Sequence, residues 1–446
     1  MIIKSGTKLP ITIEETRNII QSHTDGFGVF LDLDRIMEYI FHYTTDLRTK
    51  MKDIRNLVGE PTYQITERQA TFNILTSRLG VPKALLTNAR GETSVDKGMI
   101  EQCLNYYRGS GSTVEEFLVK YQDAATVSKA LSSFSSYKDL PQCAGLDRDN
   151  HRMVVAHPTW NILSTSRLSA SNPGIQTIAR AHGDILTAPK GWQVVRSDSG
   201  QIEPRIMWSH VFKDELMFNL IQAYNDAYFA YYDFITMSPD REAKLRADFA
   251  NNFVKNEITQ EMKDGRQQMK RISLAAGYGS SLPQNAGFDP RLARLYTEKI
   301  VNHPMRKEFE RKVRDDVYRG VGTFYGAFGS AVTPKSTDRY SMGGSGWTEH
   351  VIRCGINNPI QTTASELMIF AVHAANDILM NKCKYSHIAY YKHDEGCFYL
   401  HEDSGDINFA EELGDCQSYK VEGWIPIYSE MEIGRKEPHN DVLRLF

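Results

Sequence analysis

The sequence lacks any uninterrupted apolar stretch of the roughly 20 residues that a membrane-spanning helix requires. Its N-terminus, MIIKSGTKLPITIEE, also lacks the long apolar segment of a secretory signal peptide. The six cysteines are scattered and form no CxxC pair, which argues against a zinc site or a disulfide framework. These absences favour a reducing, cytoplasmic setting without membrane association.

A strong excess of charge is missing too. The formal net charge is −3, with 24% charged and 41% hydrophobic residues, which is ordinary for a soluble globular protein. Bulk charge therefore gives no argument for nucleic-acid binding, which would need a locally basic cleft in a nearly neutral chain. The 446 residues are enough for about two to four domains or lobes with a real core.

The first third of the chain reads as helical. A capping box at Thr12 opens a predicted helix over 12–22, and apolar positions at helical spacing predict a long helix over 33–57. A second long helix begins at Ser112, after the polar loop RGSGSTVEE. Two long helices with a small basic tip between them indicate an arm rather than a compact core.

Strand patterns appear on both sides of a helical segment. Period-2 alternation predicts strands in HRMVVAHPTWNIL and WQVVRSDS, and again over 385–400 and 421–428. The pattern over 206–333 is mostly helical. A β-rich unit is therefore split by a helical insertion of roughly 130 residues, which predicts an α+β fold with a palm-like sheet and attached helical lobes.

Acidic residues stand at the ends of two of these strands. Asp198 ends one strand, and Glu203 lies in the first turn of the helix that follows, where an acid also suits the helix dipole. The cluster His393-Asp394-Glu395 lies in the bend of an otherwise apolar hairpin. Carboxylates in such positions usually have a partner or a metal.

Residues four apart mark one helical face. Arg266, Lys270, Leu274 and Tyr278 stay on one slowly turning face of a helix. Cations at one end and apolar or aromatic groups at the other suit a nucleoside triphosphate. Taken alone, the stretch fits a surface helix with a basic side equally well.

A second face of this kind is formed by Arg353, Asn357 and Gln361. Amide side chains beside an arginine can reach minor-groove acceptors of a duplex without reading its sequence. Pro359 inside this stretch predicts a kink or a helix start. Further upstream, a polar turn after Thr165 carries one projecting arginine, Arg167.

Together these stretches resemble the family A DNA polymerases, the bacterial DNA polymerase I type that bacteriophages also have. The family's D-Y-S-Q-I-E-L-R stretch resembles Asp198–Arg205, its R-x-x-x-K-x-x-x-F/Y-x-x-x-Y-G helix resembles Arg266–Gly279, and its V-H-D-E turn resembles Lys392–Glu395. Its T-G-R-L-S-S turn resembles Thr165–Ala170, and its R-x-x-x-N-x-P-x-Q helix resembles Arg353–Gln361. The five motifs occur along the chain in the family's order, between residues 165 and 395.

The resemblance implies a right-hand polymerase fold with an antiparallel palm sheet, helical fingers and a helical thumb. The implied division is a lead-in over 1–30, a thumb over 31–150, a palm over 151–205 and 346–446, and fingers over 206–345. The implied function is template-directed DNA synthesis from dNTPs, in a phage-like replication enzyme.

The resemblance also implies the chemistry of the site. Asp198, Asp394 and the backbone carbonyl of Ser199 would hold two Mg²⁺ ions, for which Mn²⁺ would substitute, and Glu395 would support them. Lys270 would donate a proton to the leaving pyrophosphate.

The implied ligand contacts fall into two sets. The dNTP would contact Arg266, Lys270, Leu274 and Tyr278, with Glu203 excluding ribonucleotides. The primer and template would contact Arg167, Arg353, Asn357, Gln361 and His393.

Several positions depart from the family pattern. Leu274 stands where the family has Phe or Tyr, so the ring that borders the incoming sugar is absent. Ser199-Gly200 replaces Tyr-Ser and Pro204 replaces Leu, which is more phage-like than bacterial. The stretch YGAFGSAVTP lacks the arginines usual in the fingers-to-palm hairpin of the family.

The predicted thumb begins within about 30 residues of Met1, which leaves no room before it for the usual 3′–5′ exonuclease domain. We therefore expect that proofreading is missing, that a separate exonuclease or replisome partner supplies it, or that the chain is a fragment.

Three other interpretations stay open at this stage. A single-subunit RNA polymerase shares the palm acids, but Glu203 and Glu395 favour DNA synthesis. A catalytically degenerate polymerase fold could serve as a DNA-binding scaffold, although it need not keep the costly acids Asp198 and Asp394. A specialised repair or lesion-bypass polymerase is not separable from a replicative one by sequence.

We expect Leu274→Tyr to change the ratio of dideoxynucleotide to deoxynucleotide incorporation, because a ring would again border the sugar of the incoming nucleotide. Competitive primer extension measures this ratio. An unchanged ratio would contradict a role for this position in sugar recognition.

Overall fold

A computed structural model describes residues 1–4, 6–87, 92–254, 258–277, 288–334, 337–392 and 394–434. The chain forms two compact units, one of Phe30–Ala156 and one of Met1–Val29 with His157–Phe446. None of the helices among the described residues combines the length and the apolar composition of a bilayer-spanning segment.

The helices lie in both units. They are α1 (Ile13–Gly26), α2 (Leu33–Val58), α3 (Arg68–Asn73), α4 (Lys97–Tyr107), α5 (Thr113–Lys138), α6 (Ile202–Ile206), α7 (Glu215–Tyr224), α8 (Ala227–Thr236), α9 (Pro239–Ala247), α10 (Phe249–Asn252), α11 (Gln260–Gly277), α12 (Pro290–Tyr296), α13 (Pro304–Tyr318), α14 (Thr337–Asn381) and α15 (Ala410–Asp415).

The strands are mostly short. They are β1 (Ile2–Ile3), β2 (Val29–Asp32), β3 (Gln142–Leu146), β4 (Arg152–Ala156), β5 (Thr159–Ile162), β6 (Leu168–Ser171), β7 (Trp192–Ser199), β8 (Phe324–Tyr325), β9 (Ala331–Val332), β10 (His387–Lys392), β11 (Glu395–His401), β12 (Lys420–Val421) and β13 (Ser429–Ile433).

The helix starts predicted from capping residues are confirmed. The Thr12 and Glu15 side chains form the reciprocal capping box of α1. The Ser112 side chain accepts a hydrogen bond from the amide of Glu115 at the start of α5. The long helix predicted over 33–57 is α2.

In the Phe30–Ala156 unit, the helices α2 and α5 pack against each other over a core that includes the fully buried Ile54 and Phe117. The strand order is β2-β4-β3. Asp32 caps α2 and its other oxygen lies 2.7 Å from Nδ1 of His151, which ties the hairpin after β3 to the start of the helix.

The larger unit is built on a four-stranded antiparallel sheet in the order β10-β11-β7-β13. The central strand β7 pairs with strands that come much later in the chain. This arrangement confirms the predicted sheet, which is split in sequence by a mostly helical segment. The buried core of that segment includes Trp208, Tyr231 and Tyr296.

The strand predicted over 421–428 is wrong. Only its first residue belongs to a strand, the two-residue β12, and the fourth strand of the sheet is β13. Gly423 adopts a positive φ of 77°, and Pro426 lacks an amide hydrogen for a ladder, so the chain turns here instead of extending.

A helix start at Pro359 is also wrong, because α14 continues through this proline. Proline inside a helix costs about 3 kcal/mol. Burial of the following turns outweighs this cost, since Leu367, Ile369 and Val372 are fully buried. On the N-terminal side, Gly355 lies so close to Phe324 that a Cβ there would be 2.5 Å from its ring.

The hairpin of β8 and β9 is held against α14 by the buried carboxylate of Glu366. Its two oxygens accept hydrogen bonds from the amides of Phe328 and Ser330 at 2.9 and 2.6 Å. A Cβ on Gly326 would lie 2.3 Å from Oε2 of Glu366, so the backbone of the hairpin approaches the carboxylate directly. Burial raises the pKa of Glu366, and these hydrogen bonds oppose the shift.

We expect Glu366→Gln to lower the free energy of unfolding by ~1–3 kcal/mol, because an amide accepts only one of the two bonds and leaves a buried N–H unsatisfied. Urea unfolding measures the change. The control is Glu349→Gln on the same helix, an exposed partner of Arg314, for which we expect about 0.5 kcal/mol or less. Equal effects in the two variants would contradict the anchoring role of Glu366.

Candidate active site

Two carboxylates, Asp198 and Asp394, lie at adjoining points of the four-stranded sheet. Asp198 is exposed near the end of β7, and Asp394 lies in the turn between β10 and β11. The amide of Ser199 donates to the carbonyl of Asp394 at 2.9 Å, so the backbone itself joins the two points. On the other strand of the hairpin, Glu395 pairs with Asp198 across the ladder.

The strand that carries Asp198 is fixed from its other face. Because side chains alternate along a strand, Ser197 and Ser199 face away from Asp198. Their hydroxyls donate to the carbonyls of Gly414 and Gln417 at 3.0 and 2.9 Å. These bonds hold β7 in place beneath the acid.

The turn from β7 into α6 is held by the buried guanidinium of Arg205. It donates to the carbonyls of Gly200, Asn225 and Pro426 at 3.0, 2.8 and 2.7 Å. A buried guanidinium needs several acceptors, and three backbone segments provide them here. The position of Glu203 in the first turn of α6 follows from this arrangement.

The electrostatics of the pair are unfavourable. Burial raises the pKa of Asp394 to about 7, and the negative charges of Asp198 and Glu203 add to the shift, while the guanidinium of Arg167 opposes it. Two acids that repel each other in this way favour a bound cation, and carboxylate and carbonyl oxygens suit Mg²⁺. The oxygen ligands that these residues offer therefore fit a divalent metal ion.

The acidic surface extends beyond the predicted residues. Glu395 accepts a hydrogen bond from the hydroxyl of Tyr390 at 2.7 Å. Glu430 on β13 pairs with Asp198 on the other side of β7. Glu430 was missed because the strand prediction stopped at residue 428. The alternating stretch SEMEI is a signal that could have found it.

A cavity of about 270 Å³ is lined by Asp394 and brings together predicted residues from four stretches of the sequence. Arg167 and Glu203 form an ion pair in its wall, and the side chain of Leu274 completes the other side with Tyr228. The sequence therefore identified residues that are neighbours in space although they are far apart in the chain.

The cation Arg266 is held by an acid that the sequence did not single out. Both Nε and Nη2 of Arg266 lie within 2.9 Å of Oδ2 of Asp226, which also caps α8 through the amides of Tyr228 and Phe229. The helix α11 reaches this position because Gly265 packs against the ring of Tyr232 with no room for a Cβ. Lys270 lies half-buried one turn further along α11.

The α14 residues divide into two groups. Asn357 and Gln361 line a second cavity of about 110 Å³, together with Glu203 and Leu274. Arg353 is exposed one turn earlier and lines neither of these two cavities. Tyr278 and His393 lie outside the described residues.

A separate group of possible metal ligands lies in the Phe30–Ala156 unit. Asp32, Asp147 and His151 have ligand atoms close enough to share a cation. They also bond one another within the fold, since the amide of His151 donates to Asp147 at 2.8 Å and its ring lies beside Asp32. We interpret this group as structural.

Comparisons with known proteins give one family. A family model described as DNA polymerase family A matches residues 34–436. The DNA polymerase I of Chloroflexus aurantiacus is 26% identical over 387 residues, which cover 82% of this chain and 36% of that protein. The DNA polymerase I of Pseudomonas aeruginosa is 23% identical over 342 residues, which cover 74% of this chain and 33% of that protein. The chain thus spans about a third of the length of these curated relatives.

Among solved structures, the polymerase domain of Pol1 from M. smegmatis, in complex with DNA primer-template and dNTP, is similar with a TM-score of 0.72. The sequence identity is 18%, and the match covers 95% of this chain and 70% of that one. This likeness concerns the fold, and it confirms the predicted α+β right-hand architecture.

We expect the stability of the metal-free protein to fall as the pH rises through about 7, and to fall less in Asp394→Asn. The raised pKa means that folded Asp394 keeps a proton which the unfolded chain has released, so its contribution is present at low pH and lost above that pKa. Urea unfolding in a chelator, from about pH 5 to about pH 8, measures the difference. Asp240→Asn, an exposed acid in α9, is the control. Equal slopes in wild type and Asp394→Asn would refute the shift.

Proposed function

Because the chain belongs to the family A DNA polymerases, we propose that it extends the 3′ end of a DNA primer along a template by adding dNTPs and releasing pyrophosphate. The pairing of Asp198 with Asp394 beside a cavity lined by Glu203 and Leu274 supports this proposal most strongly. In-line phosphoryl transfer needs positioning and charge neutralisation more than covalent help.

Asp198, Asp394 and the carbonyl of Ser199 would hold two Mg²⁺ ions. When bound, the ions would make the primer hydroxyl a better nucleophile and neutralise charge on the leaving pyrophosphate. The chain itself contributes a rigid mount, since the amide of Ser199 and the carbonyl of Asp394 join the two acids through the backbone. The carboxylate of Glu395, which accepts a hydrogen bond from the hydroxyl of Tyr390, would add negative charge next to the metal ions.

Arg266 and Lys270 would bind the triphosphate from α11. Arg266 would exchange its ion pair with Asp226 for phosphate oxygens. Asp226 would then keep the hydrogen bonds that it accepts from the amides of Tyr228 and Phe229 and from the side chain of Gln201. Lys270 would then lie one turn closer to Leu274 and could donate a proton to the departing pyrophosphate.

Glu203 would select the sugar. Its carboxylate is held by Arg167 in the wall of the cavity beside Asp394, where a ribose 2′-hydroxyl would compete for the same space. Leu274 offers an apolar side chain without a hydroxyl or ring at this wall.

The remaining contacts are proposed from the family pattern. Arg167, Asn357 and Gln361 would hold the primer end and the nascent pair, with Arg353 on the template strand. The Phe30–Ala156 unit would act as the thumb and the larger unit as palm and fingers. Replacement of the family's Tyr-Ser by Ser199-Gly200 favours a phage-like replication enzyme, and a separate exonuclease partner stays a prediction that co-purification would test.

Primer extension with Mg²⁺ by wild type and by Asp394→Asn tests the mechanism. We expect the variant to lose at least ~100-fold in rate, because removal of a metal-binding carboxylate costs several kcal/mol of charge stabilisation. Asp240→Asn should retain the wild-type rate. Full activity in Asp394→Asn would contradict the proposed mechanism.

The same assay separates the alternatives. Preference of the wild type for rNTPs over dNTPs on a primed template would favour an RNA polymerase. Binding of primer-template without any extension, in Mg²⁺ and in Mn²⁺, would favour a degenerate scaffold.

A further inference from the structure

Arg196 is a buried cation beside the candidate metal site that no role described above uses. It lies on β7 two residues before Asp198, so both side chains face the same side of the strand. The residue is only 2% exposed. An arginine in the centre of a sheet is costly unless its five donors are satisfied.

Within the described residues, the guanidinium donors of Arg196 are not satisfied. None of Nε, Nη1 and Nη2 has a hydrogen-bond partner there. The nearest opposite charge is Glu432, whose Oε2 lies 3.7 Å from Nη1, and its side chain is 55% exposed. An ion pair at this distance with an exposed partner compensates little of the burial cost.

Arg196 is one of the residues that line a cavity of about 170 Å³. The sheet side of this cavity carries Arg196, Asp198 and Asp394, together with Lys392, whose Nζ is fixed by the carbonyl of Ile178 at 3.0 Å. The opposite wall is mainly apolar and comes from residues 175–186. Since a water occupies about 30 Å³, the cavity has room for a phosphate group.

Asp394 borders this cavity and also the cavity of Glu203, Tyr228 and Leu274. The second of these lies toward α11, where Arg266 and Lys270 would bind the triphosphate. Among the described residues, Asp394 is the only one that lines both cavities, so they are separate spaces that meet at this acid. On the proposed function, the nucleotide takes the cavity toward α11, which leaves the cavity of Arg196 for the strand that brings a 3′-hydroxyl to the acids.

We propose that Arg196, with Lys392, binds a phosphodiester of the primer strand next to its 3′ end. This inference rests on the proposed function and adds a DNA contact to it. A guanidinium is suited to the task because its fork binds two phosphate oxygens at once. The bond would satisfy donors that the free protein leaves buried and would position the terminal nucleotide over the metal site.

The charges around the cavity make this contact depend on metal. Five carboxylates line it against two cations, so without a bound divalent cation the surroundings repel a phosphate. The carboxylates are Asp198, Asp394, Glu395, Glu430 and Glu432. Primer phosphate and metal should therefore bind cooperatively, each reducing the cost of the other.

The test compares Arg196→Met with wild type in binding of primer-template DNA, with Ca²⁺ in place of Mg²⁺ so that no extension occurs. One set of primers carries a single neutral methylphosphonate linkage at the first, second or third position from the 3′ end. We expect Arg196→Met to weaken binding of normal DNA about tenfold and to reduce the salt slope by about one. In wild type, one neutral linkage should weaken DNA binding by a similar factor. In Arg196→Met, the same linkage should weaken binding by less than about twofold.

Glu432→Gln is the matched control, since it removes the only ion pair of Arg196 seen within the described residues. It should leave the effect of the neutral linkage intact. Arg196→Lys should retain part of the affinity because it keeps the charge. If Arg196→Met does not fold, wild type is compared with Arg196→Lys instead. Because a lysine cannot bind two phosphate oxygens at once, a neutral linkage should weaken DNA binding less in Arg196→Lys than in wild type.

The proposal is overturned if neutral linkages cost wild type and Arg196→Met equally, or if Glu432→Gln reproduces the loss of Arg196→Met. Pyrophosphate shares the phosphate chemistry, so its inhibition constant is measured in parallel. A change confined to pyrophosphate also overturns the primer assignment. If a neutral linkage weakens DNA binding but the protein does not extend primers, the contact is supported and the proposed catalysis is refuted. If the protein extends primers but a neutral linkage has no effect on binding, the catalysis is supported and the contact is refuted.

Discussion

The repulsion between Asp198 and Asp394 is the constraint around which the larger unit is arranged. Burial and a like charge raise the pKa of Asp394 to about 7, so the folded protein holds this pair at a cost. Hydrogen bonds of the sheet offset this cost. The serines of β7 are bonded to Gly414 and Gln417 beneath it, and one backbone hydrogen bond joins Ser199 to Asp394. A flexible mount would let the two acids separate, and the attraction for a divalent cation would be lost.

The cations of the site are arranged on the same principle. Arg266 is paired with Asp226 and Arg167 with Glu203. On the proposed function, these two arginines bind a phosphate and a DNA end, and in the ligand-free protein an acid of the fold neutralises each of them. Ligand binding in such a site is an exchange of anions, which favours release of product as well as capture of substrate. Arg196 is the exception, because its guanidinium has only a distant and exposed partner within the described residues.

The sequence predicted most of the architecture, and it identified several side chains that the fold brings together in the candidate site, for identifiable reasons. Capping residues and helical spacing located α1, α2 and α5, and the motif order indicated that Asp198 and Asp394 would meet. The errors came where one residue type was read without its surroundings. Pro359 did not start a helix, because buried turns after it carry α14 through. Asp226 and Arg196 were missed since an N-capping acid and a strand arginine have no distinctive spacing, and their roles arise only from what the fold places beside them.

The strand order of the palm sheet has a consequence for how the protein is made. The ribosome completes β7 long before it reaches β11 and β13, the two strands that flank it. Until then the strand that carries Asp198 has two open edges, which invite pairing with other chains. The helical segment between β7 and β10 rests on local contacts and can form first, whereas the sheet depends on late, distant partners. Assembly of the candidate metal site should therefore be among the last steps of folding, and incomplete chains should tend to aggregate.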